Sequence, residues 1–324
     1  MNKVAKSLYL LKKKFLKRRY PLWILINVTN QCPYSCKYCN LSRDKDKIIS
    51  TRAIIKLIDN CARIGIKFIT LTGGEPLVRD DIADLIMYIR RRENFDLRIS
   101  TEGIGNSVDK MKILKQVDLV NLSFDGPADI HDYQRYRGAF QRFMRNISFF
   151  KTQNIPFRAI CVLTKKNISY IDYILDFAKT KKFDVFFQPL SNTYFYRGKI
   201  PDEFVLDKDE IKEIAQLLIK RKKKNKYLAN STTMLNFLLG HNIYFYKCYA
   251  KEFFIYAHFD GSIYHCWVNP VTPLGNIYEQ TLEEILDKNF DYDYTKCECS
   301  SYSCVEKNCL ISSNPIFYFF NKYL

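Results

Sequence analysis

Three cysteines, Cys32, Cys36 and Cys39, stand within "QCPYSCKYCN" (residues 31–40) with no fourth beside them. A structural zinc site takes four ligands, usually supplied as two pairs, so a triplet on one loop disfavours a closed zinc knuckle. An iron-sulfur cube has four metal corners. Three thiolates from one loop hold three of them and leave the fourth iron open to a ligand. The triplet follows the apolar run "WILINV" (23–28), which places it on a loop leaving the C-terminal edge of a sheet, where βα folds keep their chemistry.

Other chemistry-bearing residues also sit at the ends of apolar runs. "LTGGEP" contains Gly73, Gly74, Glu75 and Pro76. Two glycines let backbone approach a ligand closely, and the neighbouring carboxylate suits a cationic amine. "LSFDGPADIHDYQRYRG" offers the Ser123 hydroxyl and the Arg135 fork, which together suit a carboxylate, with Asp125 and Gly126 shaping the turn and Arg137 as a rival to Arg135. "RISTEG" sets Ser100 and Glu102 at another run's end, and Gln188 closes the sixth run, facing either substrate or core.

Of the eleven cysteines, Cys61 and Cys161 stand alone in apolar surroundings and read as core residues. The other six, Cys248, Cys266, Cys297, Cys299, Cys304 and Cys309, gather near the C-terminus. Pairs brought together by a hairpin and a later loop make tetrathiolate sites for iron-sulfur or zinc.

The elements that must position these groups are legible as a pattern. Six β-rich runs, "WILINV", "FITLTG" (68–73), "LRIST" (97–101), "LVNLSF" (119–124), "FRAICVLT" (157–164) and "DVFFQPL" (184–190), alternate with amphipathic stretches such as "TRAIIKLIDNCARIG". This alternation predicts an α/β fold, a parallel sheet curled into a partial (β/α)6 barrel. The expected domains are a basic amphipathic helix at 1–21 stopped by Pro21, the barrel at 22–195, a helical bridge at 196–245 capped by Asp207 or Asp209, and a small cysteine-rich domain at 246–324. That last domain opens on a hairpin turning at Asp260-Gly261.

The motifs together resemble the radical S-adenosylmethionine (SAM) superfamily, whose CxxxCxxC signature carries an aromatic residue before the last cysteine, here Tyr38. The resemblance implies that Cys32, Cys36 and Cys39 bind a [4Fe-4S] cluster. It also implies that Gly73, Gly74, Glu75 and Pro76 contact the amino group of SAM, that Ser123 and Arg135 grip its carboxylate, and that Ser100 is a further SAM contact. Glu102 stands where many relatives have Asn, and its role stays open between a ribose acceptor, a substrate-side carboxylate and a loop residue. The tail resembles the SPASM and twitch extensions through its "DGxxxxC" hairpin and "GNIYExxLEEI" helix. It departs from them in having CxC, then CxxxxC twice, and six cysteines in total. All six are expected metal ligands, holding either one four-cysteine auxiliary cluster with two thiols left over or two clusters each with an open iron.

The implied activity is reductive cleavage of SAM to a 5′-deoxyadenosyl radical that takes hydrogen from a substrate, giving net oxidation or modification of a peptide or protein side chain. A small metabolite of sugar or aminocyclitol type is the alternative substrate, and a flavodoxin or ferredoxin is the expected electron donor. The competing class is a non-catalytic zinc protein binding nucleic acid. The chain has 51 basic and 34 acidic side chains, a net charge of +17, but no recognised nucleic-acid motif accompanies it, so a solvated basic surface is the preferred reading. No apolar run is long enough to span a bilayer and no signal peptide is recognised, which places the protein in the cytoplasm, where thiols stay reduced.

Overall fold

Seven consecutive buried residues, WILINVT, make up β1 (Trp23–Thr29). A strand buried on both faces must sit inside a sheet rather than at an edge. The computed structural model describes residues 20–39, 48–92, 95–103, 108–190, 200–239, 254–265 and 272–288. The basic N-terminal stretch and Cys248, Cys266, Cys297, Cys299, Cys304 and Cys309 lie outside them.

Beside β1 run β2 (Phe68–Gly73), β3 (Asp96–Thr101), β4 (Leu119–Ser123), β5 (Phe157–Leu163) and β6 (Asp184–Pro189), each parallel to the strand before it. The α/β class and the curled parallel sheet expected from the sequence are borne out. Connecting helices are α1 (Thr51–Ile64), α2 (Ile82–Arg92), α3 (Val108–Lys112), α4 (Ala128–Gln134), α5 (Ala139–Thr152) and α6 (Ile171–Lys181). For α1 the start is set by Ser50, whose hydroxyl accepts from the Ala53 amide at 3.2 Å, and the stop by Gly65 at φ 81°. Alternate strand residues such as Ile24, Ile69, Leu97 and Val120 join the helices in one apolar core.

The opposite face of the sheet is polar, which the run-of-apolars pattern did not reveal. There Arg98 pairs with Asp96 at 2.7 Å and lies 4.6 Å over the Trp23 ring, whose indole N–H donates to Thr70 at 2.9 Å. Arg158 donates to Asn121 at 2.8 Å. These pairs satisfy buried charge inside the barrel.

Both edges of the six-strand sheet are covered. At the β6 edge, the Val185 amide donates to Tyr227 and the Ala229 amide to Val185, each at 2.8 Å, while Asn230 exchanges two hydrogen bonds with the Phe187 backbone. The bridge region thus seals a strand edge. Its helix α7 (Lys208–Lys222) is capped by Asp207 rather than Asp209, in a reciprocal box with Glu210, and leads to α8 (Thr232–Leu238).

At the other edge, β7 (Phe254–Ala257) pairs parallel with β1 and turns through Asp260-Gly261 into β8 (Ser262–Tyr264), followed by β9 (Gly275–Asn276). This hairpin, turning where the sequence places it, extends the barrel sheet to nine strands among the described residues. Its unpaired edge finds in β1 a partner that local pattern cannot announce. The helix that follows, α9 (Leu282–Lys288), is held against the barrel by Tyr20, which donates to Asp287 at 2.9 Å, and by Arg63, which pairs with Glu283 at 3.2 Å. Among the described residues no helix is long and apolar enough to cross a membrane.

His131 in α4 supplies a pH handle on this fold. It is fully buried and its Nδ1 accepts from the Asp125 amide at 3.0 Å, and burial lowers its pKa from 6.5 to about 4. The unfolded chain therefore binds the extra proton first, so this contribution to stability is complete above pH 6.5 and is lost as pH falls through about 4. His131→Asn keeps an acceptor for the amide but cannot charge. Chemical denaturation should show the stability difference between wild type and His131→Asn moving by about 3 kcal/mol in favour of wild type from pH 4 to 6.5. A difference that stays constant over that range would contradict the assignment.

Candidate functional site

The C-terminal ends of β1 to β5 open onto one pocket with a cavity of about 170 Å³, partly open to solvent. Its walls are Cys32, Tyr34, Cys36, Tyr38, Cys39, Thr72, Gly73, Gly74, Glu75, Ser100, Thr101, Glu102, Ser123, Arg135 and Val162.

The cysteine loop is fixed from both sides by tyrosines. Tyr34 donates to the Gly103 carbonyl at 2.7 Å, tying the loop to the end of β3. Tyr38, the aromatic residue before Cys39, donates to Asp125 at 2.8 Å, tying it to the end of β4. Lys37 adds a backbone bond to Gln134 at 2.8 Å, and the Cys39 amide closes a turn on the Cys36 carbonyl at 3.0 Å. Burial pushes the Cys32 thiol up to about 12 and the Cys36 thiol well above its usual range.

Among the described residues no three His, Cys, Asp or Glu side chains converge where a single metal ion would sit. Yet three half-buried free thiols line one pocket. Three thiols from one loop in one wall are the donor set that holds three corners of an iron-sulfur cube.

The strand end at 73–76 braces this loop. Gly74 donates to the Thr29 carbonyl at 2.7 Å and Glu75 to Gln31 at 2.9 Å. Both glycines line the pocket and also approach the backbone at the end of β1 and the start of the cysteine loop. A Cβ on Gly73 would stand 2.1 Å from the Thr29 carbonyl oxygen, and one on Gly74 would stand 2.2 Å from that of Gln31. Gly74→Ala should therefore lower stability by about 1–3 kcal/mol and displace the thiols, read as a lowered urea midpoint together with reduced iron uptake. Normal values for both would contradict the contact.

Glu75, in the pocket wall, is also tied to the ends of two strands. It is 1% exposed, and its oxygens accept from the Leu77 amide at 3.0 Å, the Thr101 hydroxyl at 2.5 Å and the Glu102 amide at 2.8 Å. A buried carboxylate draws in every nearby donor, and here that joins the ends of β2 and β3. Burial raises its pKa to about 7 in spite of those bonds. Pro76 starts a short 3₁₀ turn, Pro76–Val78, and is not in the wall.

Arg135 is 6% exposed, and its Nε donates to Asp125 at 2.7 Å while its Nη1 pairs with Glu102. The sequence reading left Glu102 open and gave Asp125 only a turn-shaping part. In the structure Glu102 is the second carboxylate on the arginine, with Ser123 as a further hydrogen-bond partner, and burial raises its pKa. Asp125 is a hub, fully buried, accepting also from the Val162 amide at 3.0 Å. Ser100 lines the pocket and accepts from Asn121 at 3.3 Å. Arg137 is exposed and Gln188 half-buried, and both lie outside the wall. A group the sequence reading missed is Arg142, which donates to the Tyr34 hydroxyl at 2.6 Å and lies over the stacked rings of Tyr34 and Tyr136. Its helical position in α5, far from any motif, gave no signal.

Comparison with known proteins converges on this region. Residues 26–178 match the family described as the Radical SAM superfamily. The chain is 30% identical over 152 residues to an AdoMet-dependent heme synthase of Oleidesulfovibrio alaskensis, which covers 44% of this chain and 38% of that protein. It is 38% identical over 112 residues to a GTP 3',8-cyclase of Clostridium perfringens, covering 32% of this chain and 34% of that protein. The chain thus spans well under half the length of these curated relatives. Among solved structures, anSMEcpe with bound AdoMet superposes with a TM-score of 0.68 at 20% identity, covering 91% of this chain and 97% of that one. Streptococcus suis SuiB bound to precursor peptide SuiA gives 0.71 at 18% identity, covering 93% and 74%. These two establish the fold. The zinc and nucleic-acid reading finds no support among them.

Proposed function

We propose, from the radical SAM domain this chain carries over residues 26–178, that the protein is an enzyme holding a [4Fe-4S] cluster on Cys32, Cys36 and Cys39 and SAM in the pocket beside it. When bound, the reduced cluster and SAM supply reductive carbon-sulfur cleavage and a 5′-deoxyadenosyl radical that takes hydrogen from the substrate. The observation that carries the reading is the lining of one pocket by all three thiols together with Ser100, Glu102, Ser123 and Arg135.

In this reading each side chain has a positioning task. Tyr34 and Tyr38 hold the thiol loop at fixed depth between the ends of β3 and β4. The turn of Gly73, Gly74, Glu75 and Pro76 takes the amino group, with Glu75 joining it rigidly to Thr101. Arg135, aimed by Asp125, takes the carboxylate together with Ser123, and Ser100 lies against the nucleoside. Burial of Tyr38 and Arg135 behind the site keeps water from its inner wall.

The substrate proposed is a peptide or protein side chain, with a small metabolite of sugar or aminocyclitol type as the alternative. The peptide-bound SuiB and anSMEcpe neighbours favour the first. Cys248, Cys266, Cys297, Cys299, Cys304 and Cys309 are the proposed ligands of one or two auxiliary clusters, and a flavodoxin or ferredoxin is the proposed electron donor. The functional units proposed are those expected from the sequence, 1–21, 22–195, 196–245 and 246–324, with the hairpin of the last one built onto the barrel sheet. The test is anaerobic reconstitution of the full chain with iron, sulfide, reductant and SAM. The expected product is 5′-deoxyadenosine, and intact SAM after prolonged incubation with fully loaded protein would overturn the reading.

A further inference from the structure

Two neighbouring hydroxyls in the pocket wall differ in what they have left to offer a ligand. Thr101 is committed in both directions, since its hydroxyl donates to Glu75 at 2.5 Å and accepts from the Gly103 amide at 2.8 Å. Ser100 accepts from the Asn121 side-chain amide at 3.3 Å, and among the described residues nothing takes the hydrogen of its own hydroxyl.

The direction of that bond is imposed from the next strand. In-register pairing of β3, β4 and β5 sets Ser100 opposite Asn121 and Asn121 opposite Arg158, so the three side chains stand abreast on one face of the sheet. The Arg158 Nε donates to Asn121 Oδ1 at 2.8 Å. A guanidinium has donors only, so the amide must turn its oxygen to Arg158, and its NH2 group then faces Ser100. An amide NH2 cannot accept, and the Ser100 oxygen is therefore the acceptor of the pair. The Ser100 hydrogen is left for whatever fills the pocket. We infer that Arg158 and Asn121 are positioning residues that fix Ser100 as a hydrogen-bond donor to the ligand, so that this point of the wall selects an acceptor atom of a nucleoside, a ribose oxygen or a ring nitrogen. The inference rests on the SAM reading above and adds to it the polarity of one contact and the residues that set it. Neither Asn121 nor Arg158 is in the pocket wall, so each acts through its neighbour.

The test is equilibrium binding of SAM to the reconstituted full chain under anaerobic conditions, with urea midpoints measured on the same proteins. Ser100→Ala is expected to weaken binding about 5-fold, the contribution of one neutral hydrogen bond. Asn121→Asp keeps the bond from Arg158 but gives Ser100 an acceptor, which takes its hydrogen and turns its lone pairs to the ligand. That variant should weaken SAM binding by about 5-fold or more, whereas a carboxylate acting through its charge alone would favour a cationic ligand. Adding Asn121→Asp to Ser100→Ala should change affinity by less than about 2-fold, because both act through one hydroxyl. Unchanged or tighter binding in Asn121→Asp, or a fully additive loss in the double variant, overturns the inference. Should Asn121→Asp fail to fold, two variants at the next position decide. Arg158→Met frees the amide to turn over and should weaken binding about 3-fold, and Arg158→Lys, which keeps a donor for Oδ1, should restore it. Equal affinities in those two variants overturn the inference as well. Failure of wild type to bind SAM would instead sink the reading beneath it.

Discussion

Arg135→Ala is expected to lower the free energy of unfolding by about 3–5 kcal/mol and to abolish measurable SAM binding. The size of the effect follows from what the side chain leaves behind. Asp125 has no exposed surface and Arg135 is its only cationic partner among the described residues, while Glu102 is nearly as enclosed. Removing the guanidinium strands two carboxylates in a low-dielectric wall, and neither can turn to water. Tyr38 would also lose the shared acceptor geometry at Asp125, loosening the cysteine loop. Arg135→Lys should recover part of the stability and little of the binding, because one ammonium cannot bridge two carboxylates and a ligand at once. Urea denaturation and equilibrium dialysis measure the two effects, and an alanine variant with wild-type stability would contradict the network described.

Replacing Cys32, Cys36 and Cys39 together with alanine is expected to reduce 5′-deoxyadenosine formation at least ~1,000-fold, about 4 kcal/mol of lost transition-state stabilisation. Stability should change by less than about 1 kcal/mol, since the loop is pinned by Tyr34, Tyr38 and Lys37, the thiols lie outside the main apolar core, and Cys39 alone packs on the edge of a small cluster with Leu190, Ile200 and Phe204. The triple variant should also retain iron wherever the late cysteines hold it. Undiminished turnover, or loss of all iron together with all activity, would count against the assignment of this loop as the SAM-cleaving centre.

The strands were legible because parallel strands buried on both faces read as short apolar runs, and "FITLTG" coincides with β2 residue for residue. Capping by Asp207 was legible to within one choice, which the reciprocal bond from Glu210 decides. The clustering of most motif residues in one pocket was legible too, because they lie at or just beyond strand C-terminal ends, whereas Arg135 is brought in by the end of α4. What stayed hidden depends on contacts between distant positions. Glu102 and Arg135 are 33 residues apart, and nothing local in either segment announces the pair. The polar inner face of the barrel was masked because Asp96, Arg98 and Arg158 satisfy one another or their neighbours across strands. The joining of β7 to β1 is likewise a pairing of segments more than 200 residues apart, which no local pattern announces.

The central claim is that three protein thiols hold a cube whose fourth corner is left for SAM. The most direct measurement is electron paramagnetic resonance of the reconstituted, reduced full chain before and after addition of SAM. The account predicts a cluster signal that shifts on SAM binding in wild type and is absent from this site in the Cys32, Cys36, Cys39 triple variant. A spectrum indifferent to saturating SAM, or a cluster with a fourth protein ligand already in place, would contradict it.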